Sequence, residues 1–172
     1  LENRIDSQHL LDSSKKMLDY SKTIFDLNKT TFTHEDFTKI KLNKKFDLIT
    51  AFRFFPNAEP FLRKSAMSFI SDHLNENGIL IFNNHKNFWS IPFLIERMTF
   101  RSNGFGMTHK EIKELVKINN LKIYQYKSVG LITNKEKSLI IPWKLIAKLE
   151  NFFVRIYSNH LLGYNVIYLI GK

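Results

Sequence analysis

The sequence predicts an α/β fold with a mainly parallel sheet. Two observations carry this. Short apolar runs alternate with stretches of helical periodicity along almost the whole chain, and the boundaries between them fall on residues that start or stop helices. At 172 residues the chain is long enough to bury a core and matches the size of one domain, so 1–172 is expected to form a single unit.

Gln8 to Leu11 reads as the first strand, and Ser13 or Ser14 caps the helix after it. In that helix Met17, Leu18, Ser21, Ile24 and Phe25 recur at helical spacing. Thr31 to Thr33 is a second strand. Phe46 to Phe52 is a third, apolar enough to be covered on both faces. Pro60 opens the next helix, whose apolar face is Leu62, Ala66, Phe69, Ile70 and Leu74, and Gly78 closes it with a left-handed turn. Ile79 to Phe82 is a buried strand. Thr108 and Glu111 form a capping box ahead of the inward-facing Ile112, Leu115 and Val116. Leu121 to Val129 is a long strand. Pro142 opens an amphipathic helix carrying Leu145, Ile146, Leu149, Phe152, Phe153 and Ile156, and Tyr164 to Ile170 is the last strand.

Composition narrows the chemistry. With no cysteine there is no disulfide, thiolate metal site or cysteine nucleophile, and a reducing, cytoplasmic location fits. The six histidines show no metal-ligand spacing, so no metal is expected. The net charge of +10 suits an anionic partner. It equally follows from a lysine-, asparagine- and phenylalanine-rich composition of the kind AT-rich coding produces. No run approaches the ~18 to 20 apolar residues of a membrane span, and the N-terminus lacks a signal peptide's apolar run.

In parallel sheets ligands bind beyond the carboxyl ends of the strands, so the residues just after each strand are the candidates. Asp12 follows the first. A carboxylate there either caps the next helix or accepts from the two hydroxyls of a ribose, and its spacing leaves both readings open. His34, Glu35, Asp36 and Phe37 follow the second strand. Asp36 either sits in an ordinary acidic loop or accepts from an exocyclic amine while the Phe37 amide donates to a ring nitrogen. Arg53 follows the third strand, and Asn83, Asn84, His85 and Lys86 follow the fourth.

Taken in order, these pieces resemble the class I S-adenosylmethionine-dependent methyltransferases. Asp12-Ser13-Ser14-Lys15-Lys16-Met17-Leu18 is similar to the family's ribose-binding turn and the helix after it. Glu35-Asp36-Phe37 is similar to its adenine-contacting turn, and Phe46-Asp47-Leu48-Ile49-Thr50 to the strand that opens the acceptor side. Leu74 to Phe82 and Thr108 to Leu121 match later pieces. The resemblance implies a Rossmann-like methyltransferase fold with an antiparallel C-terminal strand. It also implies S-adenosylmethionine as cofactor, held by Asp12, Ser13, Met17, Asp36, Phe37 and Ala51. The family's glycine-rich loop and the strand before it have no counterpart, so the resemblance implies an N-terminally incomplete domain lacking the first strand.

The acceptor follows by elimination. Base-amine methyltransferases carry an acidic or Asn residue, two prolines and an aromatic where this chain reads Ala51-Phe52-Arg53-Phe54-Phe55-Pro56. Cytosine-carbon methylation needs a cysteine. A small-molecule acceptor is therefore expected, whether anionic, lipid-like or saccharide, and nucleic acid is not. Arg53 and His85 are the catalytic candidates. His85 is either a general base or a loop histidine. Arg53 either grips an anion or pairs with Asp47 or Glu59. The apolar segment Phe88 to Phe100, with Trp89, Phe93, Leu94, Ile95 and Met98, is either a buried helix or part of an acceptor lid inserted at 86–107. A lid of that kind would suit a greasy substrate or a membrane surface. Two other classes stay open: a methyltransferase-like binding module without activity, and a basic nucleic-acid binder supported by charge alone.

Overall fold

The computed structural model describes residues 5–98, 106–130, 143–156 and 163–172. The chain comprises two compact units, Leu1–Lys44 and Lys45–Lys172, and strand pairing is confined within each.

In the first unit β1 (Gln8–Asp12) pairs in parallel with β2 (Thr30–His34), with Asp12 opposite His34 at the carboxyl ends. Helix α1 (Lys15–Ser21) is capped by Ser14, whose Oγ accepts from the Met17 N–H at 3.4 Å, and Leu18 is its buried residue. The apolar periodicity suggested a helix reaching Phe25, but it stops at Ser21. The Ser21 hydroxyl donates to the Met17 carbonyl at 2.9 Å and the Thr23 hydroxyl to the Tyr20 carbonyl at 2.7 Å. Such local bonds compete with the helical ladder, and they leave Ile24 outside it and exposed.

The second unit runs β3 (Phe46–Ala51), a 3-10 turn (Phe55–Asn57), α2 (Pro60–His73), β4 (Leu74–Asn84), α3 (Ile91–Met98), α4 (His109–Ile118), β5 (Lys122–Val129), α5 (Trp143–Ile156) and β6 (Asn165–Gly171). Its sheet has the order β3-β4-β6-β5. β3 and β4 are parallel, and β6 runs antiparallel to both neighbours, so the last strand is reversed as the resemblance implied. Phe82, Tyr168 and Tyr126 stand opposite one another on β4, β6 and β5. Their rings form a row, Phe82 stacked on Tyr168 at 5.1 Å, and Phe55 of the 3-10 turn extends it at 4.8 Å from Phe82. At the start of α4, His109 Nδ1 meets the Tyr168 hydroxyl at 2.9 Å. Burial raises the Tyr168 phenol's pKa well above its ordinary value, and Tyr126 adds to the effect. The capping box of Thr108 and Glu111 is present, with Ile112, Leu115 and Val116 buried behind it.

Several details differ from the sequence expectation. β3 is not covered on both faces: it is the outer strand of its sheet, with no fully buried residue and Leu48 46% exposed. Gly78 does not end a helix. Helix α2 stops at His73, β4 begins at Leu74, and the β3–β4 register slips between Phe46 and Leu48. Gly78 is required there because a Cβ would lie 2.9 Å from the Phe46 carbonyl oxygen and 2.8 Å from Leu74 Cγ. The buried face of α2 is turned by one position, to Arg63, Ala66, Met67, Ile70 and His73. On α5, Leu145, Leu149 and Phe152 are exposed rather than inward. Pro142 and the side chains of Ile146, Phe153 and Ile156 lie outside the described residues, as do Thr99 and Phe100. Near α3, Phe93 is buried while Trp89 and Met98 are exposed. Among the described residues no helix is long and apolar enough to cross a membrane.

The 6%-exposed Arg63 organises the chain after β3. Its Nε donates to the carbonyls of Phe55 and Ala58, both at 2.8 Å, and its Nη2 reaches Pro56 at 3.5 Å and Gly106 at 3.4 Å. Burial lowers its pKa, opposed by the nearby Glu111 carboxylate, but guanidinium remains charged in proteins. Removing it strands several buried carbonyls, each costing ~1–3 kcal/mol. Arg63→Met should therefore lose about 2–4 kcal/mol of stability in urea unfolding. Arg63→Lys should recover only part of that, because an ammonium lacks the planar fork.

Candidate functional site

Each unit offers polar residues at the carboxyl edge of its sheet. In the first, the Asp12 Oδ1 accepts from the Ser14 N–H at 2.7 Å, so the carboxylate folds over the entry to α1. The His34 Nε2–H donates to the Ser13 carbonyl at 3.0 Å and ties the two strand ends together. Asp36 Oδ1 accepts from the Thr38 N–H at 2.9 Å. That bond and a second one to the Thr38 side chain hold the carboxyl below its ordinary pKa. Asp12 thus ends β1 and Asp36 follows β2, two adjacent, register-matched parallel strands. Both also serve their own turns. Ser13 lies between the two ends, and Met17 is exposed on α1.

In the second unit Arg53, Asn57, Asn83, His85, Lys86, Val129, Gly130, Tyr164 and Asn165 line one cleft of about 540 Å³. The structure thus brings Arg53 and His85 together. Ala51 ends β3 two residues before Arg53. Arg53 adopts φ +59°, the left-handed region that a side chain enters at a cost. Its surroundings hold it there. The Arg53 N–H donates to Asn83 Oδ1 at 2.7 Å, its carbonyl accepts from Asn57 Nδ2 at 2.7 Å, and Arg63 fixes the carbonyls that follow. Asn83 Nδ2 in turn donates to Asn165 Oδ1 at 3.1 Å. Among the described residues Arg53 forms no ion pair, so neither Asp47 nor Glu59 claims it.

His85 is half-buried, its Nδ1 enclosed without a hydrogen-bond partner. Burial lowers its pKa, and the charges of Lys86 and Arg53 lower it further. The cleft therefore holds an imidazole that disfavours protonation beside two cations, and none of the described residues lining it is acidic. Among the described residues no group of His, Asp or Glu is placed to hold a metal ion.

Neither a family model nor a curated protein sequence matches the chain. Solved structures do. A methyltransferase from Clostridium acetobutylicum dependent on S-adenosylmethionine is similar over 96% of this chain and 76% of its own, at TM-score 0.63 and 16% identity. The fold is that of the S-adenosylmethionine-dependent methyltransferases. The magnesium protoporphyrin IX methyltransferase of Synechocystis PCC 6803, solved with bound SAH, shares it over 95% of this chain and 63% of its own (TM-score 0.57, 12% identity). A structure described as a pericyclic reaction enzyme shares it over 99% and 37% (TM-score 0.64, 8% identity).

Within this methyltransferase fold, sequence reading overlooked Asn57, Tyr164 and Asn165 as cleft residues. A signal for the last two existed. An antiparallel final strand begins, rather than ends, at the carboxyl edge of its neighbours, which puts Tyr164 and Asn165 beside the residues after β3 and β4. Asn57 had none, since its place depends on the turn that Arg63 holds.

The histidines set a pH dependence. His85 and His109 both have lowered pKa values, His109 through burial and then Lys113. Below about pH 6.5 the unfolded chain binds protons that the folded chain refuses, so stability falls as pH drops from 6.5 through the folded pKa values. Urea midpoints should decline between pH 7.5 and pH 5.5, and the decline should shrink in a His85→Gln, His109→Gln protein. Equal declines in the two proteins would remove these histidines from the account.

Proposed function

We propose that the protein transfers a methyl group from S-adenosylmethionine to a small-molecule acceptor lodged in the cleft of its second unit. The observation that carries this reading is a neutral, partly enclosed His85 in a carboxyl-edge cleft of a methyltransferase fold. S-adenosylmethionine supplies an electrophilic methyl group on a sulfonium. Asp12 fits the ribose: one oxygen is committed to Ser14, and the carboxylate keeps acceptor capacity for hydroxyls. Asp36 and the Phe37 N–H would meet the adenine edge, with Ser13 and Met17 as neighbouring contacts. His85 Nε2 receives the acceptor's proton, and Arg53 orients the acceptor. A cytoplasmic place of action fits these roles.

A second reading, a domain that binds the cofactor without transferring methyl, draws on the pericyclic reaction enzyme that shares the fold. The two separate by experiment. S-adenosylhomocysteine binding, followed by calorimetry, should weaken by ~1.5–3 kcal/mol in Asp12→Ala, the range for a hydrogen bond to a charged group. It should weaken less in Asp36→Ala, whose carboxylate stands in a loop that water reaches. Unchanged affinity in a folded Asp12→Ala protein would end the ribose assignment. Methyl transfer from labelled cofactor to a panel of small acceptors should fall ~10²-fold in kcat in His85→Gln if the imidazole takes the proton. Cofactor binding with no transfer to any acceptor would favour the second reading.

A further inference from the structure

The geometry points to an acceptor that carries a carboxylate or a phosphate, gripped by Arg53 and Lys86 and receiving a hydrogen bond from the Asn165 amide. This rests on the methyl-transfer reading for the word acceptor, but the anion site stands on observations of its own.

The first is charge. The described residues lining the cleft include Arg53, Lys86 and His85, and none of them is acidic. A cleft lined by one sign of charge concentrates ions of the other. The second is backbone conformation. Arg53 is held at φ +59° by bonds from Asn83 and Asn57, a position that glycine or asparagine would occupy at less cost. A charged side chain kept in such a place, with no ion pair among the described residues, is poised for something outside the chain. The third is the amide of Asn165. Its Oδ1 is taken by Asn83 Nδ2, which fixes the amide's orientation and leaves its NH2 as a donor at the cleft. Guanidinium, ammonium and amide donors together suit planar or tetrahedral oxyanions.

The same arrangement gives the anion a consequence for His85. Arg53 and Lys86 both disfavour its protonated form. An anion seated on those cations offsets their charge and makes His85 a stronger base once the acceptor is in place. In the unliganded protein the imidazole stays neutral.

The experiment is an NMR titration of the full chain with inorganic phosphate and, separately, acetate, at constant ionic strength. The backbone amides of residues 53 and 165 and the ring of His85 are the reporters. Phosphate should bind saturably and raise the His85 pKa. Arg53→Gly keeps the turn because glycine suits its φ. Together with Lys86→Gln it should weaken phosphate binding at least tenfold, while Lys117→Gln on α4 should leave it unchanged. Acetate binding at the same reporters identifies a carboxylate as sufficient, and phosphate binding without it narrows the group to phosphate. A linear, non-saturating response, or equal weakening by Lys117→Gln, would reduce the effect to diffuse screening and overturn the site. Repeating the titration with saturating S-adenosylhomocysteine separates the two readings. Unaltered phosphate binding supports an acceptor anion, whereas competition would assign these cations to the cofactor's own carboxylate and overturn the proposal. If S-adenosylhomocysteine fails to bind at all, the methyl-transfer reading falls, and a saturable phosphate site would still stand.

Discussion

The buried guanidinium of Arg63 is the interaction on which the second unit's cleft depends. A turn that leaves a strand and must pack inward carries carbonyls with no ladder to receive them, and an unpaired buried carbonyl is costly. Arg63 gathers those of Phe55, Pro56 and Ala58 and adds Gly106 from across the unit. With its carbonyl bonded to Arg63, the turn can seat Phe55 fully buried against Phe82. Everything upstream is then constrained. Asn57 sits where its amide meets the Arg53 carbonyl, and Arg53 is driven into its left-handed conformation. A positively charged residue at the core thus places a second one at the rim.

The rim and the core are coupled through the sheet as well. Asn83 and Phe82 are neighbours on β4, and successive residues of a strand point to opposite faces. Phe82 joins the aromatic row with Tyr168 and Tyr126, while Asn83 bonds Arg53 and Asn165. One segment of strand therefore serves packing on one side and the polar floor of the cleft on the other. The strain at Arg53, of order 1 kcal/mol, is small beside what the Arg63 bonds and the aromatic row supply, so the fold can hold it without collapse of the turn.

What was legible in the sequence was local. The order of strands and helices, the Thr108–Glu111 capping box, Pro60 at a helix start and the reversed last strand follow from period, caps and the family resemblance. The carboxyl-edge rule singled out Arg53 and His85, which the cleft brings together, and Asp12 and Asp36, which close their own turns as well as marking adjacent strand ends. What was not legible was set by pairing at a distance. Seven apolar-rich residues at 46–52 look alike whether their strand is central or outer, and only the sheet order makes β3 an edge. Gly78 looks like a helix stop until Phe46 is seen lying over it. An arginine on a helix reads as solvated, and nothing near Arg63 in sequence announces the carbonyls it will meet. Leu145, Leu149 and Phe152 have the spacing of a buried face, but periodicity does not say whether a face is covered.

The chemistry of the cleft follows from where charge is allowed to be. His85 shares a half-buried site with two cations, and each of these conditions works against a second positive charge on its ring. Left alone, the imidazole is neutral but a weaker base than one in water. A neutral acceptor would leave that weakness in place, because no described lining residue carries a negative charge to balance a transferred proton. An anionic acceptor would supply the missing charge at the moment of binding, so a group gripped by Arg53 and Lys86 would also set the basicity of the group beside them. On the proposed reading, discrimination and proton transfer would arise from one electrostatic arrangement, set by a turn that Arg63 holds from within.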